Sequence, residues 1–140
     1  MSKSIKEVMT PSPTTVEPDA SVVEAARTMR ERDTGIVPVV ENGKLIGTVT
    51  DRDIVVRLIA EGRDPGSATV REIASTDLVT VDPQQELDEG LRLMAQHKVR
   101  RLPVVEEDGR LVGIVSQADV ARQEDDARTG EVVEQISEPS

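Results

Sequence analysis

An internal repeat constrains the fold of this chain more than any other feature of its sequence. Residues 38–53 read PVVENGKLIGTVTDRD, and residues 103–119 read PVVEEDGRLVGIVSQAD. Pro38 matches Pro103 at an offset of 65, whereas Asp53 matches Asp119 at an offset of 66 because the second turn is one residue longer. The chain therefore contains two copies of one strand–turn–strand–helix unit, and such a duplication fixes the architecture.

The first repeat predicts the element order β-α-β-β-α, preceded by a short helical turn. Ser21 and Glu24 have the spacing of a capping box, in which a hydroxyl and a carboxylate satisfy free amides at a helix start. Asn42-Gly43 between two β-branched runs predicts a tight hairpin. Ile54, Val55 and Leu58 are expected to face inward from the last helix. The predicted elements are a helical turn at 4–9, a strand at 14–16, a helix from 21 that ends at 33–35, strands at 36–40 and 45–49, and a helix at 51–60.

The second repeat follows the same plan. Its predicted elements are a helical turn at 70–74, a strand at 78–81, a helix at 85–96, strands at 101–105 and 111–115, and a helix that begins at 117. We expect the first helical turn of each repeat to pack on the other repeat. The predicted domain limits are 1–60 for the first repeat, 61–69 for a linker rich in turn-forming residues, 70–123 for the second repeat and 124–140 for an acidic, flexible tail.

The composition excludes several kinds of site. The chain has no Phe, Tyr or Trp, so aliphatic side chains and Met must fill the core. It has no cysteine, which excludes disulfides, thiolate nucleophiles and cysteine-ligated metals. His97 is the only histidine, so we expect no metal site. No nucleophile–base constellation is apparent, and we expect no catalytic site and no enzymatic activity.

The charge and hydropathy patterns restrict the partners and the location. The net charge is −10, from 17 basic and 27 acidic residues, which repels nucleic acid and anionic membranes at long range. No aromatic platform is present for stacking bases. The first ten residues lack an apolar leader-like run, and no stretch approaches the ~20 apolar residues that a membrane span needs. We therefore expect a cytoplasmic protein with neither nucleic acid nor a membrane as a partner.

The repeated pattern resembles the CBS domain, a regulatory module named after cystathionine β-synthase. Both copies contain P-V-V, a glycine in the second strand and a closing Gly-h-h-[Ser/Thr]-x-x-Asp, where h-h is Thr-Val in the first copy and Ile-Val in the second. The resemblance covers residues 4–122 and implies an α/β (α+β) fold in which two β-α-β-β-α repeats pack with pseudo-two-fold symmetry, as in a Bateman module. TDRDIVVR in the first repeat and HKVRRLPV in the second make this stand-alone form similar to actinobacterial hypoxic-response tandem-CBS proteins.

The resemblance also implies ligand-binding positions. In family members that bind nucleotide, the Ser/Thr of the closing motif contacts phosphate and the Asp holds the ribose hydroxyls. The residue two before the motif proline lies beside the base or phosphate, and a basic pair grips phosphate in some members. The corresponding candidates here are Thr50 and Asp53, Ser116 and Asp119, Ile36, Arg100 and Arg101, with Thr10 and Thr14 ahead of the first strand. Gly35-Ile36 replaces the basic pair in the first repeat, so equal occupancy of two sites is in doubt.

The chemistry of these residues leaves alternatives open. A carboxylate can accept two hydrogen bonds from a ribose diol, and an arginine fork suits phosphate. On a chain of net charge −10, the local basic cluster of Lys98, Arg100 and Arg101 is what an anionic ligand would require. The closing motifs have equally the spacing of ordinary capping boxes, for which alanine would cost about 1 kcal/mol of stability and nothing else. Arg100 and Arg101 could instead form a solvated strand end or ion pairs in a dimer.

Two functions of different classes follow from the sequence. The leading hypothesis is a non-enzymatic sensor that binds an adenosine-containing ligand, with AMP, ADP, ATP, S-adenosylmethionine and NAD as candidates and no required cofactor. The alternative is a ligand-free structural or protein-interaction module, related to stress or hypoxia. The family pattern implies a homodimer in either case, together with an unknown protein partner.

Overall fold

The structure, a computed structural model, describes residues 3–123. Two antiparallel hairpins form the centre, and short helices cover them. The elements are α1 (Ile5–Val8), β1 (Thr10–Pro11), α2 (Val22–Arg32), β2 (Ile36–Glu41), β3 (Lys44–Thr50), α3 (Asp51–Ile54), which continues as a π-helical turn (Val55–Ile59), α4 (Val70–Ile73), α5 (Leu87–His97), β4 (Arg101–Val105), β5 (Leu111–Ser116) and α6, over 117–123. The predicted acidic tail at 124–140 lies outside the described residues.

The two hairpins are built alike. β2 pairs with β3 and β4 pairs with β5, and each pairing shifts register at the same place, between Val39 and Val40 and between Val104 and Val105. Asn42 and Gly43 turn the first hairpin with φ of 54° and 80°, the positive values that a two-residue hairpin turn requires. The hairpin predicted from Asn42-Gly43 is therefore confirmed.

The strands predicted at 14–16 and 78–81 are reduced to single bridges. Val16 bridges Val39 and Val81 bridges Val104, both in the parallel sense. Pro18 and Pro83 follow each bridge closely, and a proline lacks the N–H that would extend the ladder. The segment after α1, where no strand was predicted, forms β1, in which Thr10 pairs with Ile114 of β5.

The segments that precede each repeat pack into the other repeat. Ile5, which is fully buried, belongs to the core of the second repeat with Val81, Met94, Leu102 and Val104. Val70 and Ile73, also fully buried, belong to the core of the first repeat with Val22, Val37, Val49 and Leu58. The expected exchange of the first helical turns is therefore confirmed, and neither core is complete without the other repeat.

The helix after β3 departs from the sequence expectation at one position. Leu58 is fully buried as predicted, but Val55 is 58% exposed rather than inward-facing. The N–H of Ala60 bonds to the carbonyl of Val55 at 2.8 Å, an i→i+5 bond that widens the turn. An α-helical wheel therefore misplaces Val55. Among the described helices, none has the length and apolar composition needed to cross a bilayer.

Candidate functional site: two clefts between the repeats

Both closing motifs fold as reciprocal capping boxes. In the first, the N–H of Asp53 donates to Oγ1 of Thr50 at 3.0 Å, and the N–H of Thr50 donates to Oδ2 of Asp53 at 2.9 Å. In the second, Ser116 and Asp119 make the same two bonds, each 3.1 Å long. The capping interpretation of these motifs is therefore confirmed, and any role with a ligand is additional to it.

The box at Ser21 is only half formed. The N–H of Glu24 donates to Oγ of Ser21 at 3.1 Å. Within residues 3–123 the carboxylate of Glu24 makes no return bond to the Ser21 amide. The predicted helix start is correct, but the two-way box predicted there is not.

The two motif aspartates differ in the contacts they make beyond the cap. The Ser75 hydroxyl, which comes from the other repeat, lies 3.2 Å from Oδ1 of Asp53, and Nε of Arg57 lies 3.7 Å from the same oxygen. Asp119 instead pairs with Arg122 of its own helix, whose Nη2 lies 2.7 Å from Oδ1. The side chain of Asp53 is 11% exposed and that of Asp119 is 10% exposed. The two carboxylates therefore have different hydrogen-bond and ion-pair partners, whereas their burial is nearly equal.

The Ser116 cleft is a cavity of about 510 Å³ beside the second closing motif. This volume lies within the range of small-molecule sites, about 300–1,000 Å³. Both repeats supply its walls, because β1 of the first repeat pairs with β5 of the second. Its polar and charged lining residues are Thr10, Ser12, Thr14, Thr28, Arg32, Asp33 and Thr34 from the first repeat and Arg101, Ser116, Asp119 and Arg122 from the second.

The Thr50 cleft is a cavity of about 650 Å³ beside the first closing motif. Here Ser75 of the second repeat pairs with Thr48 of the first, so the walls again come from both repeats. Its polar and charged lining residues are Thr48, Thr50, Asp51 and Arg52 from the first repeat and Ser75, Asp77, Lys98, Arg100 and Arg101 from the second.

The structure brings eight of the nine candidate residues into these clefts. Ile36 and Arg101 line both clefts. The Ser116 cleft also contains Thr10, Thr14, Ser116 and Asp119, and the Thr50 cleft also contains Thr50 and Arg100. Asp53 is the exception, because its carboxylate lies behind the lining of the Thr50 cleft, bonded to Ser75.

Sequence reasoning missed several residues that line the clefts. Ser75 and Asp77 line the Thr50 cleft, and Asp33 and Arg122 line the Ser116 cleft. A signal was present, since the offset of 65 continues towards the N-terminus and places Ser75 opposite Thr10 and Lys98 opposite Asp33. Extending the repeat alignment beyond the hairpins would have found these positions.

A third cavity and the possible metal ligands add no comparable site. The cavity of about 370 Å³ between α2 and α3 is lined mainly by apolar side chains such as Val22, Val23 and Ile54. Residues 3–123 contain no group of three or more His, Asp or Glu placed to hold a metal ion. His97 lies exposed at the end of α5.

One carboxylate outside the clefts has a perturbed pKa. The N–H of Thr69 donates to Glu72 at 2.6 Å, and Arg63 lies 2.9 Å from the other carboxylate oxygen. The Thr69 amide, with a further contribution from Arg63, holds the pKa of Glu72 below its ordinary value. Glu72 caps α4, so this shift concerns stability rather than ligand binding.

Solved structures share this fold. Hypoxic Response Protein I, crystallised with two coordinated zinc ions, superposes with a TM-score of 0.79 at 40% identity, over 86% of this chain and 98% of that one. CBSX2 in complex with AMP gives 0.78 at 27% identity, over 89% and 98%. The CBS domain pair of protein MJ0100, in complex with 5-methylthioadenosine and S-adenosyl-L-methionine, gives 0.80 at 26% identity, over 91% and 99%.

Sequence relatives agree with the structural ones. The chain is 47% identical over 118 residues to the CBS domain-containing protein YhcV of Bacillus subtilis, which covers 84% of this chain and 83% of that protein. It is 42% identical over 118 residues to Hypoxic response protein 1 of Mycobacterium tuberculosis, with coverage of 84% and 82%. The model of the CBS domain matches residues 5–60 and 70–126. The chain therefore belongs to the CBS-domain family and carries two CBS domains in tandem.

Proposed function

We propose that this protein is a non-enzymatic regulatory module that binds an adenosine-containing ligand in the clefts between its two CBS domains. The observation that carries the proposal is the Ser116 cleft, where Ser116 and Asp119 line a cavity of about 510 Å³ together with residues of the other repeat. The complexes of CBSX2 with AMP and of the MJ0100 domain pair with adenosine derivatives support the ligand class.

The side chains of the Ser116 cleft offer a partner for each part of such a ligand. Asp119 has acceptor capacity beyond its bonds to the Ser116 amide and Arg122, so it can accept from a ribose diol. The Ser116 hydroxyl and the guanidinium of Arg101 can donate to a phosphate. Ile36, Pro11 and Ile114 give aliphatic walls for the base. The base must pack on aliphatic groups because the chain has no aromatic residue.

Binding would act through the packing of the repeats. Both clefts have walls from both repeats, so a ligand contacts the two domains at once. A ligand shifts an equilibrium between two packings only when it binds one of them more tightly. We therefore expect the regulatory output to be a change in the relative position of the two domains.

The test is equilibrium dialysis of the protein against AMP, ADP, ATP, S-adenosylmethionine and NAD in turn. Bound ligand is read at 260 nm, where a chain without Trp or Tyr absorbs little. Asp119→Asn keeps an oxygen to cap Ser116 but removes the charge, and we expect it to weaken ligand binding at least tenfold. Glu24→Gln is the matched control at another helix start, outside both clefts, and should bind as the wild type does.

The proposal fails if the wild type binds none of the five ligands, or if Asp119→Asn binds them as tightly as the wild type while remaining folded. Sustained turnover of ATP that Asp119→Asn abolishes would instead indicate an enzyme. The absence of ligand binding would leave the protein-interaction module as the better hypothesis.

We also propose that two copies associate, as the family pattern implies, and that the contact is made by the helix that follows β3. Val55 and Ile59 are 58% and 54% exposed on the π-helical turn, and Val56 is 46% exposed. A single helix face of this kind can pair with its own copy around a two-fold axis, since the same patch serves both subunits. Val55→Asp/Ile59→Asp should convert a dimer into a monomer in sedimentation experiments. A wild type that is monomeric at high concentration would refute this association.

A further inference from the structure

The two clefts carry opposite charge at a matched position of their rims. The segment after α2, Asp33–Ile36, reads DTGI, and the segment after α5, Lys98–Arg101, reads KVRR at an offset of 65. Asp33 and Lys98 both end their helices in the left-handed conformation, with φ of 51° and 56°. The backbone is therefore alike at the two positions and the side chains differ, from a formal charge of −1 in one segment to +3 in the other.

The charged residues of these two segments line different clefts, except for one that lines both. Asp33 lines the Ser116 cleft, whereas Lys98 and Arg100 line the Thr50 cleft. Arg101 lines both clefts, and Arg52 adds a fourth basic side chain to the Thr50 cleft. Two acids, Asp51 and Asp77, share that cleft, so its lining has an excess of two positive charges.

The basic side chains of the Thr50 cleft have no carboxylate partner among residues 3–123. None of the four forms an ion pair or a side-chain hydrogen bond there, in contrast to Arg122 of the Ser116 cleft, which pairs with Asp119 at 2.7 Å. The acid closest in sequence, Asp51, accepts the backbone N–H of Arg52 at 2.8 Å rather than its guanidinium. Asp51 and Asp77 offset only two of the four positive charges in this lining, and an anionic ligand would offset the remaining two.

The contacts of the two motif aspartates also favour an anionic ligand in the Thr50 cleft. Asp53, the counterpart of Asp119, is held by Ser75 and Arg57 behind the wall of the Thr50 cleft. The motif carboxylate therefore does not line the Thr50 cleft, whereas four basic side chains there can donate to a phosphate chain. In the Ser116 cleft, Asp33 and Asp119 line the cavity together with three arginines, Arg32, Arg101 and Arg122, which leaves an excess of one positive charge. Because Arg122 is already paired with Asp119, this cleft offers fewer unpaired cations to a phosphate chain than the Thr50 cleft does.

We infer that the two clefts select ligands by charge: the Thr50 cleft takes a polyphosphate chain, as in a nucleoside di- or triphosphate, and the Ser116 cleft takes a nucleoside or its monophosphate. The inference rests on the proposed function for the nucleoside part of the ligand. The polyphosphate part depends only on Arg52, Lys98, Arg100 and Arg101, so it can be tested with a probe that has no nucleoside.

The experiment measures each cleft with the other disabled. In the Asp119→Asn background the full chain is dialysed against AMP and ATP, and ATP should bind at least tenfold more tightly than AMP. In Lys98→Asp/Arg100→Gly, which installs the residues of the first repeat, ATP affinity should fall at least tenfold, whereas AMP binding in the Ser116 cleft should stay within twofold. Lys44→Asp/Lys6→Ala, two exposed changes outside both clefts, lowers the net charge by the same amount and controls for it.

Inorganic tripolyphosphate separates this inference from the proposed function. It should bind to the wild type, and Lys98→Asp/Arg100→Gly should lose that binding. Binding of tripolyphosphate without any nucleotide would support the anion site and contradict the proposed function. Nucleotide binding with equal AMP and ATP affinities, unaffected by Lys98→Asp/Arg100→Gly, would overturn the inference and leave the proposed function standing. The failure of every probe to bind would overturn both.

Discussion

The Thr50 and Ser116 clefts share a backbone plan and differ in what their side chains contact. Each contains a reciprocal cap of closely similar dimensions at the start of the helix that ends the repeat. Asp53 then bonds to Ser75 across the boundary between repeats, whereas Asp119 pairs with Arg122 within its own helix. The duplicated chain has kept the local geometry and has changed the contacts that join the two copies.

This difference has a physical reason. A cap satisfies backbone amides that a helix start always exposes, so any loss is costly in either repeat. A contact between repeats depends on one side chain from each, and either can change while the fold persists. The caps are therefore alike, and the charges and cross-repeat bonds around them are free to give each cleft its own ligand preference.

The largest effect should come from breaking the exchange of segments that both repeats share. Ile5→Ala removes a fully buried side chain from the core of the second repeat and should cost about 3 kcal/mol of unfolding free energy. Val70→Ala, its counterpart in the first repeat, removes fewer atoms and should cost about 2 kcal/mol. Urea unfolding followed by far-UV circular dichroism measures both. Lys6→Ala, on the exposed side of α1, should change the stability by less than about 0.5 kcal/mol, and an equal effect of Lys6→Ala and Ile5→Ala would contradict the exchange.

A smaller effect should distinguish the two places where a preceding segment crosses a hairpin. A Cβ at Gly113 would lie 2.9 Å from the carbonyl oxygen of Thr10 and 2.5 Å from Sδ of Met9. At the matching Gly47 it would lie 3.0 Å from the carbonyl oxygen of Ser75. Gly113→Ala should therefore cost about 2 kcal/mol and Gly47→Ala about 1 kcal/mol, within the range of overpacked sites. The reverse order in thermal unfolding would show that the crossing at β5 has more room than its contacts indicate.

The different partners of Asp53 and Asp119 predict a third difference in stability between the two repeats. Ser75→Ala removes a hydrogen bond to Asp53 and should cost about 1 kcal/mol. Thr10→Val changes the matching position near Asp119, where the side chain makes no hydrogen bond to residues 3–123, and should cost less than about 0.5 kcal/mol. Equal losses in chemical denaturation would mean that the Ser75 bond to Asp53 adds no stability.

The smallest effect concerns pH. The pKa of Glu72 lies below its ordinary value because the Thr69 amide and then Arg63 favour the carboxylate. Its contribution to stability is therefore fully present above the unfolded-state pKa, about 4.3, and is lost as the pH falls through the lower folded-state pKa. Glu72→Gln should destabilise the protein slightly at pH 7, and the difference from the wild type should shrink below pH 4. If Glu72→Gln lowered the unfolding free energy equally at pH 3 and pH 7, the stabilising role of the Glu72 carboxylate would be contradicted.

Local patterns in the sequence predicted most of the fold. The Asn42-Gly43 hairpin, the two amphipathic helices and the exchange of the first helical turns follow from turn chemistry and from the repeat, and the structure agrees with them. The strand at 14–16 was overpredicted because a β-branched run indicates extended backbone, not a pairing partner. Val55 was misplaced because an α-helical period cannot anticipate a π-helical turn.

The candidate site was only partly predictable. The closing motifs located both clefts, since they form locally around Thr50 and Ser116. The position of Asp53 behind the lining was not predictable, because it depends on Ser75 from a segment more than twenty residues away in the chain. The charge contrast between Asp33 and Lys98 was visible in the sequence, but only the structure assigns each residue to its own cleft.

The exchange of α1 and α4 between the repeats predicts how the protein would behave if the chain were cut between them. A break within residues 61–69 would leave α1 on one fragment and its buried site on the other, and the same would hold for α4. Each fragment alone would expose an apolar gap that only its complement can fill. We therefore expect each fragment to fold only when the other is present.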